Sequence, residues 1–514
     1  MKILDCTFRD GGYYTNWDFN KSTLDTYINS LNNLPVDYIE IGYRSKPKSD
    51  YYGEFFYSPI YVLKEIKKNT NKKIAIMLNE KDIAIKDLDY LLKEIVGLVD
   101  MIRVAVDPNN LKRALALAIE IKEYGFEIGF NIMYMSMWKK KPNFLEELSL
   151  LNGKIDYLYM VDSYGSTYPS EVIDIIKIVK KQTNVPLGFH GHNNIELGLI
   201  NTLTAIENGV DIVDSTITGM GRGAGNLKTE LLLTVLNSKG ILDFDYNHLS
   251  NVVDVFTNIQ SQYLWGTNLP YMVSGANSSP QKQVMELVTK RAYSFNSIIR
   301  TLQNQFKGLK DNQSKLSSFG KKFKSYKNVL IVGGGPSVIE HSFAIQKYLN
   351  NNPDVCVIHA SSKNALAFKN IDNQQVFCLI GNEGFRMENI FTDKNIPKNT
   401  CCVLPAYPRK MGTYIPVNLN KKTYELNQIT FTDKFKDAHT AIALQTAFEL
   451  DPLFIEIVGY DGYLNKNIDN NQQELSIENQ YLFKIFKSFS SLKLHSLTSS
   501  YYDELKRGSI FSKL

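Results

Sequence analysis

Three short stretches of this 514-residue chain hold side chains of the kind that do chemistry. The first is LDCTFRDGGYYTNWDF, residues 4–19, where Arg9 and Asp10 precede Gly11 and Gly12, with Tyr13 and Tyr14 just behind. A guanidinium beside a carboxylate is either a surface ion pair or an edge that holds a metal ion and an anionic substrate together. The second is GFHGHNN, in which one glycine separates His190 from His192. Alternate residues of a strand share a face, so both imidazoles can reach one ion. A carboxylate plus two histidines leaves coordination positions open, as a catalytic rather than a structural metal site requires. Taken alone, a His-x-His pair is equally two polar side chains with ordinary partners. The third is GMGRGAGN, residues 219–226, with glycine at alternate positions. Such a loop permits close backbone approach to a ligand, and Asn226 at its end is within reach of a metal or a substrate.

These stretches need a scaffold that brings them together. Apolar, β-branched runs start at residues 3, 36, 73, 101, 127, 157, 186 and 212, spaced 26 to 37 residues apart. Between them lie amphipathic segments such as LKRALALAIEIKEYG (111–125), with apolar residues at helical spacing and a glycine stop. Eight strand–helix units in about 220 residues predict a (β/α)8 TIM barrel over 1–240. Active residues of such barrels collect at the carboxyl ends of the strands. Asp10 follows the first strand, His190 and His192 end the seventh, and the glycine loop follows the eighth.

Residues 241–310 read as a helical extension, interrupted at WGTNLPYMVSG (265–275). Residues 311–327, rich in Lys, Ser and Asn, read as an exposed linker. Lys321, Lys322, Lys324 and Lys327 form a basic run there, which is an ordinary solvated face rather than a nucleic-acid site. A second, Rossmann-like α/β domain is expected over 328–514. Its strand candidates are NVLIVGGGPSV (328–338), DVCVIHA (354–360), VFCLIG (376–381), CCVLP (401–405) and IEIVGYD (455–461), with a helix at 437–450. Gly333, Gly335 and Ser337 stand where a nucleotide loop would turn, yet the third glycine of the dinucleotide fingerprint is absent. A tight strand-to-helix turn with no ligand reads the same way.

Apolar residues make up 44% and charged residues 22%, and the formal charge is +5, which neither demands nor excludes a polyanionic partner. No apolar run nears the ~18 residues of a membrane span. The start shows no secretory signal, and five cysteines without a CxxC pair suit a reducing cytoplasm.

Together, TFRDG, YIEIG, MVDSYGS, the segment from His190 to Asn226, and LPYMVSG resemble the DRE-TIM metallolyase superfamily, nearest to the 4-hydroxy-2-oxovalerate (pyruvate) aldolases, over about residues 1–300. The resemblance implies a divalent metal, Mn2+ or Mg2+, on Asp10, His190 and His192. It implies that Arg9 contacts the oxygen of a 2-oxo acid or its enolate, that Ser163 contacts substrate, and that Tyr271 is an active-site tyrosine. It also implies a homodimer. One position departs. Three residues after the metal aspartate, pyruvate aldolases carry a proton-transferring histidine, and the CoA-ester lyases and acyl synthases a glutamine; here it is Tyr13. Tyr13 is then either the acid/base group or, with Tyr14, a wall of the pocket. The missing glutamine speaks against the alternative of an acyl-CoA-dependent synthase or lyase. The second domain resembles sialyltransferase-like and motility-accessory-factor domains over 325–470. That implies a nucleotide-linked sugar bound through Gly333, Gly335 and Ser337, with Asp461 near the pocket and His439 structural. The two resemblances joined imply an aldolase in surface-polysaccharide synthesis. The rivals are a glycosyltransferase with a secondary barrel, and a sugar-nucleotide sensor.

Overall fold

Each of the eight apolar runs in the first half becomes a strand: β1 (Lys2–Asp5), β2 (Tyr38–Tyr43), β3 (Lys73–Asn79), β4 (Met101–Val106), β5 (Glu127–Ile132), β6 (Tyr157–Asp162), β7 (Leu187–Gly191) and β8 (Ile212–Ser215). All are parallel, and β1 pairs with β8 to close the barrel. The strands are almost wholly buried because one face meets the barrel interior and the other meets the helices. The helix Leu111–Lys122 shows why the sequence folds this way. It buries Leu111, Ala114, Leu117, Ala118 and Ile121, a stripe at three- and four-residue spacing.

Residues two apart on a strand point inward together, so the barrel interior is layered. One layer is apolar and aromatic: Leu4, Tyr38, Ala75, Met101, Tyr157 and Ile212. The next carries Glu40, Arg103 and Asp214, all buried. Gly188 makes room between the layers, since a Cβ there would lie 2.4 Å from the Tyr159 ring.

The computed structural model describes residues 1–289, 294–309, 315–320, 325–391, 396–407, 409, 413–416, 419, 422–463 and 470–514. Two compact units divide the chain, Met1–Glu286 and Leu287–Leu514. The expected helical extension is thereby shared. Helices Tyr246–Tyr263, Leu269–Ala276 and most of Gln281–Thr289 lie in the first unit, and Phe295–Phe306 in the second. The interruption expected over 265–275 is narrower, because Leu269–Ala276 is itself a helix with Asn268 capping Tyr271 N. The linker expectation needs correction. Phe319 is fully buried in the second core, and Ser318 bridges to Glu425. Lys321, Lys322 and Lys324 lie outside the described residues. Among the described residues no helix is long and apolar enough to cross a membrane.

The second unit is an open parallel sheet of β9 (Asn328–Val332), β10 (Cys356–His359), β11 (Gln375–Cys378), β12 (Thr400–Leu404), β13 (Thr423–Glu425), β14 (Phe454–Val458), β15 (Lys493–Ser496) and β16 (Lys506–Arg507). Its order is β13-β12-β11-β10-β9-β14-β15-β16, so the direction of winding reverses between β9 and β14. The sequence pattern marked β9 to β12 and β14; the others, β15 and the two edge strands β13 and β16, are short and carry little apolar signal. All five cysteines are free and buried.

His359 offers a test of this core. It is fully buried, stacks 4.2 Å from Phe377, and its Nε2 lies 2.9 Å from Gln375 Oε1. Burial pulls its pKa down to about 4, with the hydrogen bond to Gln375 opposing. An unfolded histidine protonates near pH 6.5, so below that pH the unfolded chain binds more protons than the native one. Stability is therefore full above pH 6.5 and falls as the pH drops, by about 3 kcal/mol at pH 4. His359→Gln should flatten the dependence of the unfolding temperature on pH between 6.5 and 4. Equal slopes for the two proteins would contradict this assignment.

Candidate active site

The carboxyl ends of the barrel strands surround a cavity of about 340 Å³. Arg9 and Asp10 reach it from a helix rather than from a strand end. The helix Thr7–Thr15 begins two residues after β1 and carries both side chains, buried, near its start. Gly11 and Gly12 lie inside that helix, where each costs about 1 kcal/mol against alanine. Close packing explains them. A Cβ on Gly11 would lie 2.4 Å from Met220 Sδ, and one on Gly12 2.2 Å from the Trp17 ring. Without side chains here, the helix presses against the glycine loop and turns Arg9 and Asp10 toward the barrel axis.

Asp10 accepts hydrogen bonds from Arg9 Nη1 and, at 2.7 Å, from Asn226 Nδ2. Burial pushes its carboxyl up, but Arg9 and the two imidazoles outweigh it and hold the pKa below the usual carboxylate range. His190 Nδ1 lies 2.8 Å from Asp214 Oδ2, and its Nε2 lies 3.6 Å from Asp10 Oδ2. His192 Nδ1 lies 2.8 Å from the Asp162 carbonyl oxygen. A carboxylate and a carbonyl only accept, so Nδ1 carries a proton in both rings. Burial, with His190 beside it, pulls the His192 pKa down to about 3, which keeps that ring neutral.

This donor set fits a divalent ion. Two ligands each about 2.1 Å from one ion sit roughly 3 to 4 Å apart, which matches Asp10 and His190. Asn226 Oδ1 is buried without a hydrogen-bond partner next to Asp10. Cys6, His190 and Asp214 also bring ligand atoms within 4.8 Å of one another. That trio is a poorer ligand set. Burial pushes the Cys6 thiol well up, so it stays protonated, and Asp214 already accepts from Arg103 Nη2 and His190 Nδ1 at Oδ2, which leaves only Oδ1.

Behind the ligands runs a chain of charges that the sequence reading missed. Arg9 Nε donates to Glu40 Oε2 at 2.8 Å, Arg103 Nη1 to the same oxygen at 2.9 Å, and Arg103 Nη2 to Asp214 Oδ2 at 2.5 Å. Arg103 Nε also donates to Asn131 Oδ1, and its guanidinium lies 4.1 Å from the Tyr159 ring centroid. One signal was available: YIEIG, MIRVAV and IVDSTI each carry a single charged residue inside an otherwise uncharged strand segment.

The cavity also gathers Tyr13 and Ser163. Tyr13 Oη lies 3.1 Å from Tyr43 Oη, and Arg222 lies 3.9 Å over its ring. Ser163 Oγ accepts from Tyr134 N at 2.8 Å. Tyr271 is absent from the cavity wall. It is buried behind the glycine loop, its phenol pairs with Tyr14, and burial pushes its pKa up to about 12. A direct part in the chemistry, expected from the motif, does not follow from that position.

In the second unit, Gly333, Gly335, Ser337 and Asp461 do come together, but turned on one another. Gly333 N donates to Val458 O and Gly335 N to Gly459 O, while Ser337 N and Oγ both donate to the Asp461 carboxylate. The donors expected to cradle a phosphate are thus already engaged, with the Asp461 carboxylate in the anion's place. His439 Nε2 lies 3.6 Å from Glu383, which also accepts from Ser362 and Arg386.

The family described as HMGL-like matches residues 86–260. The 4-hydroxy-2-oxovalerate aldolase of Geobacillus genomosp. 3 is 30% identical over 246 residues, 47% of this chain and 72% of that protein. The protein of the same name from Pelotomaculum thermopropionicum is 31% identical over 251 residues, 47% of this chain and 71% of its own length. Among solved structures, the N-terminal domain of a Bacteroides vulgatus protein provisionally named an aldolase is 58% identical. It covers 58% of this chain and 99% of that one, with a TM-score of 0.56.

Proposed function

Since this chain belongs, through its barrel, to the HMGL-like family of aldolases and lyases, we propose that it makes or breaks a carbon–carbon bond through the enolate of pyruvate or a related 2-oxo acid. The observation that carries this reading is the convergence of Asp10, His190 Nε2 and His192 at one cavity beside Arg9. Aldolases of this family depend on a divalent metal, and Asp10, His190 and His192 are the residues that would hold it, with Asn226 beside them. Mn2+ or Mg2+ would act there as a Lewis acid toward the oxo and carboxylate oxygens of the substrate.

The protein's own groups supply the rest. Arg9 is fixed by Glu40 and Asp10, so its remaining N–H groups are preorganised for the oxygen on which enolate charge develops. Ser163 bounds the substrate. Tyr13 faces the cavity and is hydrogen-bonded to Tyr43, so it is the group we assign to carry the proton at its phenol oxygen. Tyr271 has a packing role behind the loop. The test is proton exchange: pyruvate in heavy water, with protein and Mn2+ or Mg2+, followed by NMR. Metal-dependent loss of the methyl signal supports enolate formation, and an intact signal from metal-loaded protein counts against pyruvate.

Asp214 orients His190 by accepting from Nδ1. Such partners of a metal-binding histidine typically account for 10- to 100-fold in affinity. Asp214→Asn should therefore weaken metal binding by roughly that factor in a chelator competition. Unchanged affinity would remove His190 from the ligand set.

For the second unit, the reversal of strand order at β9 and β14 supports a Rossmann-like reading, with ligands at the carboxyl edge where the winding changes. A nucleotide-linked sugar there would serve as donor or acceptor in polysaccharide synthesis, and Asp461 would first have to release Ser337. Melting the full chain with UDP- and CMP-linked sugars tests this, and no shift with any of them removes it. If sugar transfer is found and survives Asp10→Asn, the glycosyltransferase reading takes over.

A further inference from the structure

Not every polar group around the cavity is accounted for by a 2-oxo acid and a metal. Arg222 projects from the glycine loop into the cavity wall and is mostly buried. Its guanidinium lies 3.9 Å from the centre of the Tyr13 ring, and among the described residues no carboxylate forms a salt bridge with it; the carboxylate whose charge reaches it is that of Asp10, which Arg9 already holds. Gln281 also lines the cavity. It is 5% exposed, and both its Oε1 and its Nε2 are buried without a hydrogen-bond partner. Gln281 packs against the same glycine loop, since a Cβ on Gly223, the residue after Arg222, would lie 2.4 Å from Gln281 Oε1. Lys81 and Lys282 line the same cavity, Lys282 only loosely held at 4.0 Å from Glu286 on an exposed face.

A guanidinium away from bulk water without a salt-bridge partner of its own is costly, and so is a buried amide with both ends unused. Both costs disappear when an anion with a neighbouring hydroxyl enters. The guanidinium offers a fork of N–H donors that suits a phosphate or a carboxylate, and the amide can donate and accept at once. The two lysines raise the local concentration of anions at the mouth. The cavity, about 340 Å³, has room for a second small molecule beside a three-carbon 2-oxo acid.

We propose that Arg222 and Gln281 form the subsite for the second substrate, a small aldehyde that carries a phosphate or a carboxylate. This rests on the aldolase reading for the word aldehyde, but the anion site itself is measurable without turnover.

The experiment titrates the metal-loaded full chain with glycerol 3-phosphate, succinate and glycerol by calorimetry. Glycerol 3-phosphate or succinate should bind, glycerol should not, and the order of the two anions tells phosphate from carboxylate. Arg222→Met keeps the bulk over Tyr13 and should weaken the anion at least about tenfold, the worth of one charged hydrogen bond. Arg222→Lys should restore part of that loss, and Gln281→Leu should weaken binding by a smaller factor. Glycerol binding as well as the anions, no binding by either anion, or full affinity in Arg222→Met each overturns the proposal. A protein that binds the anion through Arg222 yet never exchanges pyruvate protons refutes the aldolase reading alone. One that exchanges pyruvate and binds no anion refutes the subsite alone.

Discussion

Asp10→Asn should leave a folded protein whose metal-dependent exchange of pyruvate methyl protons is lower by at least about a thousandfold. The fold is expected to survive because asparagine has the same shape and its oxygen can still accept from Asn226 Nδ2, as Asp10 does now at 2.7 Å. Two things disappear together. The anionic ligand nearest His190 Nε2 is gone, which weakens the hold on a cation. Arg9 also loses the carboxylate that fixes its Nη1, so its aim toward the substrate oxygen loosens. A Lewis acid contributes several kcal/mol to enolate formation, and each ~1.4 kcal/mol is a factor of ten. The loss should persist at saturating metal if Arg9 matters as well as the ligand. Recovery at high Mn2+ would mean that Asp10 acts through metal affinity alone. Full activity at ordinary metal concentration would mean that the reaction occurs elsewhere.

The parts of this site that could be read from the sequence were those whose chemistry needs a fixed spacing. His190 lies on β7 and His192 one residue past its end, and their spacing of two puts both at one cavity, while the barrel followed from eight apolar runs at near-equal intervals. Other parts depend on distances that spacing does not encode. Gly11 and Gly12 were placed only as following the first strand, but they lie in a helix, and Met220 and Trp17, one of them over 200 residues away, fill the space a Cβ would need. Arg222 and Gln281 come to line one cavity only once the barrel has closed. Tyr271 matched a motif, yet its helix turns the phenol toward Tyr14 behind the glycine loop. In the second unit the glycines at 333 and 335 were correctly placed after a strand. What filled the turn, the Asp461 carboxylate, comes from a strand end more than 120 residues later.

Arg103→Leu is expected to destabilise the protein by about 3 to 5 kcal/mol, the usual cost of breaking a buried ion pair from one side. Arg103 is fully buried between Glu40 and Asp214, which have no water to fall back on. Burial opposes its charge, but the two carboxylates outweigh burial and raise its pKa further. Glu40 Oε1 and Asp214 Oδ1 already lack partners, so neither carboxylate has a spare donor to replace the guanidinium. Arg103→Lys keeps the charge but cannot span Glu40, Asp214 and Asn131 at once, so it should recover only part of the loss. By the usual scaling for a unit of this size, unfolding should come about 10 °C earlier in the leucine variant. The same change should reach the active site through two routes, since Glu40 holds Arg9 and Asp214 holds His190. A leucine variant as stable as the wild type would mean that a well-packed apolar side chain replaces the pair at no cost. The charged layer would then serve only to position Arg9 and His190, and its loss would appear in metal affinity and exchange rate but not in the unfolding temperature.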